Sequence, residues 1–390
     1  MAVTETTTES WGSRLGNSIK GVLIGLVLFI AGFPVLFWNE GNAVRTRKAL
    51  EEGQGACVPV ASNDKVDPAQ EGKLVHMTGK ADTKDVLKDD AFGVTRNAIK
   101  LKRKVEMYQW VETKTTTETK NAGGSVTKTT TYDYKKDWRE KPVDSSSFKE
   151  AGHDNPATME WSTEKWTAAN VSFGAFRLSG GQIASIGAAQ TLALPTNFVC
   201  PVARVQVKGN TIWVPNAATR NNPKNVRDVA AQPRVGDLRV TFTEVLPHVV
   251  SLVAKQQGDT FGAFVASNGK KVQLLTDGEK SSEEMFADAQ SANTMMCWII
   301  RLVGVGLMFI GLTMFFKPLS VLADVLPILG DLVGMGTGFV AGVLSLVCGL
   351  STIAVAWLFY RPVLGVALFA AVAALVVLLL KRRAARKAAA

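Results

Sequence analysis

The chain has 390 residues, 47% of them hydrophobic and 20% charged, with a formal net charge of +10. Its length admits two or three domains, but the apolar residues gather at the two ends and leave a polar middle, so length overstates the soluble part. Half of the charge excess lies in one tail, Lys381, Arg382, Arg383, Arg386 and Lys387, and the middle has no base-stacking or groove-reading pattern, which argues against a nucleic-acid partner.

Residues 1–20 read as a short cytoplasmic tail. An unbroken apolar run follows at 21–38, preceded by Arg14 and Lys20 and closed by Phe37 and Trp38, with no small-residue cleavage site after it. This pattern predicts an uncleaved signal anchor, the first transmembrane helix, with Pro34 tolerated near its end.

Residues 39–297 form the polar middle, expected to be a β-rich (α+β) extracytoplasmic domain inserted between helices 1 and 2. Its clearest feature is a hairpin at 101–138: two Thr-, Val- and aromatic-rich strands separated by Asn121, Ala122, Gly123 and Gly124. Its tip is Thr and Lys on both faces and is expected to project into solvent, as a partner surface or a solvated loop, with Tyr108, Trp110, Tyr132 and Tyr134 anchoring the base. Further strands are expected at 73–79, 170–178, 198–207, 211–214, 238–245, 246–256 and 261–275, and a short helix capped by Ser281 or Ser282 at 281–292.

A second span is expected at 298–316, with Arg301 at its entrance reaching for headgroups. Residues 317–331 are apolar but short and carry Asp324 and Asp331, which suits an interfacial or re-entrant cytoplasmic segment. A third span follows at 332–360. Gly330, Gly334, Gly338 and Gly342 recur at four-residue spacing, so on a helix they make one face bare enough for close packing, within or between chains. A fourth span is expected at 363–380, and the basic tail at 381–390 then marks a cytoplasmic C-terminus. The resulting fold class is a membrane protein with four transmembrane α-helices and one large β-rich extracytoplasmic domain.

Chemistry is sparse. Cys57 and Cys200 both fall in the polar middle, where they are either bridged or two buried free thiols. His76, His153 and His248 stand apart from one another, at no metal-ligand spacing, and the Gly152–Pro156 stretch that holds His153 and Asp154 is turn chemistry. No nucleophile elbow or phosphate loop is present, so no catalytic, metal or cofactor residue is expected.

Several local strings, in this order, resemble the transmembrane protein 43 (LUMA) family: Asn39-Glu40-Gly41 after the first span, VEMYQW at 105–110, YKKDW at 134–138, Gly152–Pro156, GDLRVTF at 236–242, and the Trp298 to Arg301 entry to the second span. The resemblance runs from about Gly21 to Pro362 and implies four spans with a luminal or periplasmic domain, self-association and organisation of membrane partners, and no catalytic residues. The expected function is therefore a non-enzymatic membrane scaffold, an alternative being an ion channel or transporter subunit using Arg301, Asp324 and Asp331, and a weaker one an envelope enzyme. Membrane lipids, further copies of the chain and envelope or luminal proteins are the expected partners, in a bacterial inner membrane or, in a eukaryote, the endoplasmic reticulum or inner nuclear membrane.

Overall fold

The computed structural model describes residues 3–220, 227–363, 365–367 and 370. The elements that matter for function are, in chain order, β1 (Val3–Glu9), α1 (Trp11–Ala56), β2 (Leu74–Asp82), β3 (Lys100–Lys120), β4 (Val126–Arg139), β5 (Gln206–Lys208), β6 (Thr211–Val214), β7 (Leu238–Val245), β8 (His248–Gln257), β9 (Leu274–Asp277), α2 (Ser282–Ala323) and α3 (Pro327–Tyr360).

Three of these, α1, α2 and α3, are long and apolar enough to cross a membrane, at 46, 42 and 34 residues. Each carries a row of exposed large apolar side chains, such as Leu23, Leu302 and Phe339, that only lipid or another apolar surface satisfies. α1 runs on past Trp38 to Ala56, so its last turns belong to the domain rather than to the span. The expected short helix at 281–292 is the start of α2, opened by a reciprocal cap between Ser281 and Glu284. The segment 317–331 has no element of its own: α2 continues to Ala323, a turn follows, and α3 opens at Pro327. Most of the expected fourth span at 363–380, and the whole tail with Lys381, Arg382, Arg383, Arg386 and Lys387, lie outside the described residues.

The domain is β-rich, as its Thr, Val and aromatic content predicts. One sheet has the order β1-β4-β3-β7-β6-β5, and the other is built around β8 paired to β2 and β9. Val105, Met107, Ile212, Leu238 and Phe242 fill the core under the first sheet, and Val75, Met77, Phe173, Leu252 and Phe261 the core under the second. A third cluster, with Leu50 of α1, Phe286 of α2, Leu74 and Val253, roots both helices in the second sheet. Three strand expectations fail for local reasons. The 261–275 stretch is broken into short strands by a turn that includes Gly269 at φ +79°. The 198–207 stretch forms a strand only at its end, because Pro201 lacks an amide donor, and 170–178 is split by a turn at Gly174, where φ is +62°.

The hairpin is present, with Gly123 and Gly124 at φ +83° and +81° in its turn. Its tip does not project freely. β1 adds to its edge in a seven-residue antiparallel ladder with β4, so the expected tail and the hairpin form one three-stranded arm.

Candidate functional site

Near the middle of α1, Glu40 is fully buried. Arg301 of α2 donates two hydrogen bonds to its carboxylate, at 2.6 and 2.9 Å, and the Trp357 indole of α3 donates a third at 2.8 Å. The guanidinium also lies 4.6 Å from the Trp298 ring centre. Asn39 donates to the Cys297 carbonyl at 3.0 Å, and a Cβ on Gly41 would fall 2.5 Å from the Tyr360 ring. All three helices are thus joined at one point. The two strings flanking the first and second spans, far apart in sequence, make this node together, and Arg301 faces an acid rather than headgroups. A buried charge is tolerated only when it is paired and hydrogen-bonded, and Glu40 has these three bonds and a longer one, 3.8 Å, from the Cys297 thiol.

A second node closes the other end of the bundle. Asp324, at the end of α2, is buried and accepts from Arg14 of α1 at 2.5 Å and from Lys120 at the arm's tip at 2.6 Å. Lys120 also reaches Asp331 at 2.8 Å. The arm's turn adds a Gly123 amide to Val325 carbonyl bond of 3.1 Å, and the Trp11 indole donates to the Val321 carbonyl at 2.8 Å. Gly330 is bare because Asp324 fills the space where a Cβ would stand. Arg301 and Asp324 are 23 positions apart on one helix, about 34 Å at 1.5 Å per residue. The residues named for an ion path therefore sit at opposite ends of the bundle, each in an ion pair.

Between the nodes α1 and α2 meet most closely through glycines outside the expected stripe. A Cβ on Gly25 would fall 2.6 Å from the Gly311 carbonyl oxygen, and one on Gly311 2.5 Å from that of Gly25. Gly32 and Gly304 make a similar approach to Met308 and Leu36. Of the stripe, a Cβ on Gly334 would meet Ser320 and one on Gly342 would meet Phe309, while one on Gly338 would meet nothing within 4 Å. The sequence signal for the Gly25–Gly311 contact was weaker because its glycines are spread over two helices.

The remaining family-like strings meet at the arm's base. Tyr108 packs on Trp138 at 5.1 Å, and His153 stacks on Tyr134 at 4.1 Å with Trp110 on its edge at 4.4 Å. Tyr132 lies farther up the arm, buried against it, so it is not part of the base. Asn155 caps the exposed edge of β3, accepting from the Trp110 amide at 2.7 Å and donating to its carbonyl at 2.9 Å. Asp237 is fully buried and holds the start of β7, accepting from Arg227 at 2.6 Å and from the Asn216 amide at 2.9 Å. His153 is thus a packing residue, and His76 and His248 are elsewhere, bonded to the Lys280 carbonyl and to Asp277. No group of three metal-ligating side chains occurs among the described residues.

Cys57 and Cys200 do not meet. Both are free; Cys57 packs beside the helix-root cluster and Cys200 beside the core of the first sheet. Burial, aided by Glu283, pushes the Cys57 thiol up to about 11. Burial likewise raises Cys200, with the Val202 amide opposing it.

A helical membrane protein that carries a β-rich domain, with buried ion pairs binding the one to the other, is the class these features define. A family model described as transmembrane protein 43 matches residues 107–362. The chain is 36% identical to transmembrane protein 43 of Homo sapiens over 360 residues, covering 90% of this chain and 86% of that one. The Mus musculus protein gives the same figures, and the Drosophila melanogaster homolog is 31% identical over 359 residues, covering 90% and 91%. The chain belongs to the transmembrane protein 43 family. No solved structure matches it.

Proposed function

We propose that this chain is a non-enzymatic, self-associating membrane scaffold, whose β-rich domain meets envelope or luminal partners on one side of the membrane. The observation that carries the reading is the use made of its buried charges. Glu40 with Arg301, and Asp324 with Arg14 and Lys120, hold helices to one another and to the arm. Charges spent on such internal pairs serve rigidity of the whole, which a scaffold needs, and leave none of these groups free for an ion to bind. In this reading the helix roots and most of the domain lie on one side, and Arg14, Asp324 and the basic tail lie on the cytoplasmic side, from which β1 folds back along the arm. Two copies with different affinity tags, produced together in one membrane, test it. Recovery of one copy with the other from mild detergent is expected; a chain that is always recovered alone contradicts it.

A further inference from the structure

The arm and the helices leave the domain side by side and meet again at Asp324. From Tyr108, where pairing with the domain ends, to Lys120 the arm runs about 40 Å at 3.3 Å per residue. Along α1, Arg14 to Glu40 is about 39 Å at 1.5 Å per residue. A hydrocarbon layer about 30 Å thick around α1, α2 and α3 therefore includes the upper arm.

That arm is polar and has two open edges. β4 is its central strand, paired to β1 on one side and β3 on the other. The outer edge of β1 and the outer edge of β3 beyond Trp110 have no strand partner among the described residues. Unpaired strand edges are not stable against lipid, and the known remedy is closure. Both edge strands run antiparallel to β4 and so parallel to each other, and Val3–Glu9 is level with residues 114–120 across it. One arm thus offers the two halves of a head-to-tail, parallel strand pairing, which repeats from copy to copy and closes as a ring.

The faces differ as such a ring requires. Thr6, Thr129 and Thr117 stand side by side, and the rows two residues above and two below are threonine in all three strands as well. The opposite face carries the charges. It bears Lys120, held by Asp324, and Lys128, paired to Glu9 at 3.1 Å and Glu118 at 3.4 Å. It borders a cleft that Ser18, Gly21 and Met314 of the helices complete. The charged face is therefore turned to the chain's own helices and the threonine face away from them.

We propose that the free edges of β1 and β3 pair with those of neighbouring copies, closing a barrel that crosses the apolar layer with its threonine face inward around water and the helices outside. The proposal rests on self-association, and it places any water path along the threonines rather than at Arg301, Asp324 or Asp331.

Cysteine pairs in the full chain, in native membranes, test it. Thr6→Cys is combined in turn with Thr115→Cys, Thr117→Cys and Thr119→Cys, since the stagger between copies is open. Within one chain these positions are two strands apart, about 10 Å, which a disulfide does not span. At least one pair is expected to give an oxidant-dependent ladder of linked multimers that the single variants lack. Thr117→Cys alone is expected to lose its free thiol to a charged, membrane-impermeant reagent in intact membranes. If amine cross-linking shows multimers but no pair bridges, or the Thr117→Cys thiol stays unmodified until detergent is added, the barrel is wrong while self-association stands. If amine cross-linking shows only monomer, both are wrong.

Discussion

Removing the Glu40 carboxylate should be among the most damaging single changes to the helical part. Glu40→Ala leaves the Arg301 guanidinium, 12% exposed, without the acid that now accepts two of its hydrogen bonds, and the Trp357 indole without its acceptor. Breaking a buried pair from one side costs about 3–5 kcal/mol. Replacing both members by apolar side chains of similar size, Glu40→Leu with Arg301→Met, removes the desolvation burden of both charges and should cost far less, because such swaps are often neutral. The double variant should then be more stable than either Glu40→Leu or Arg301→Met alone, with a coupling well beyond the roughly 0.5 kcal/mol within which independent changes add. Equilibrium unfolding of the full chain in mixed micelles of increasing SDS, followed by tryptophan fluorescence, measures all members of the cycle; Trp298 and Trp357 report from the node itself. Additive losses, with the double variant the least stable, would refute the claim that these two residues form one unit.

Gly311→Ala should destabilise the bundle by about 1–3 kcal/mol, the usual cost of overpacking, because its Cβ meets the α1 backbone, whereas Gly338→Ala should be tolerated; the same SDS titration distinguishes them, and loss of multimers in Gly338→Ala would instead assign that glycine to a contact between copies. Asp324→Asn weakens the hold of both Arg14 and Lys120, so limited proteolysis should cut the arm's turn, residues 121–125, faster than in the parent chain. Cys57, raised to about 11, should remain unreactive toward thiol reagents at neutral pH in the folded protein, and no Cys57 to Cys200 bridge should be found by mass spectrometry without reduction. Burial alone would raise the Glu106 carboxyl, but hydrogen bonds from Arg239 and Lys104 outweigh it and hold the group below its ordinary value. Its contribution is therefore complete above the usual glutamate value of about 4.3 and is lost as pH falls through the depressed one; the thermal midpoint of Glu106→Gln should show less of this acid-side loss than the parent.

The three apolar helices were legible because lipid selects composition over long windows, and the hairpin because threonine and valine alternate on either side of a glycine turn. β1 carried the same alternation, Val3-Thr-Glu-Thr-Thr-Thr-Glu9, but a strand that short has meaning only once its partner is known. The two nodes were illegible for the same reason. Glu40 and Arg301 are 261 positions apart, and Arg14 and Asp324 310, so each read as a lone charge at an apolar boundary, for which snorkelling is the local solution. The glycine stripe was legible but incomplete. Its regular spacing on one helix describes a bare face but not what covers it, and the close contact formed where Gly25 and Gly311 face each other on different helices. The family-like strings were recognisable only by their order. Their proximity, at the first node and at the arm's base, shows that they maintain junctions between segments.

Self-association is the central claim, and native mass spectrometry of the full chain released directly from membranes tests it most directly. The account predicts a discrete multimer of this 41.9 kDa chain as the dominant species, stable when the domain's partners are absent. A dominant monomer under the same release conditions would contradict it.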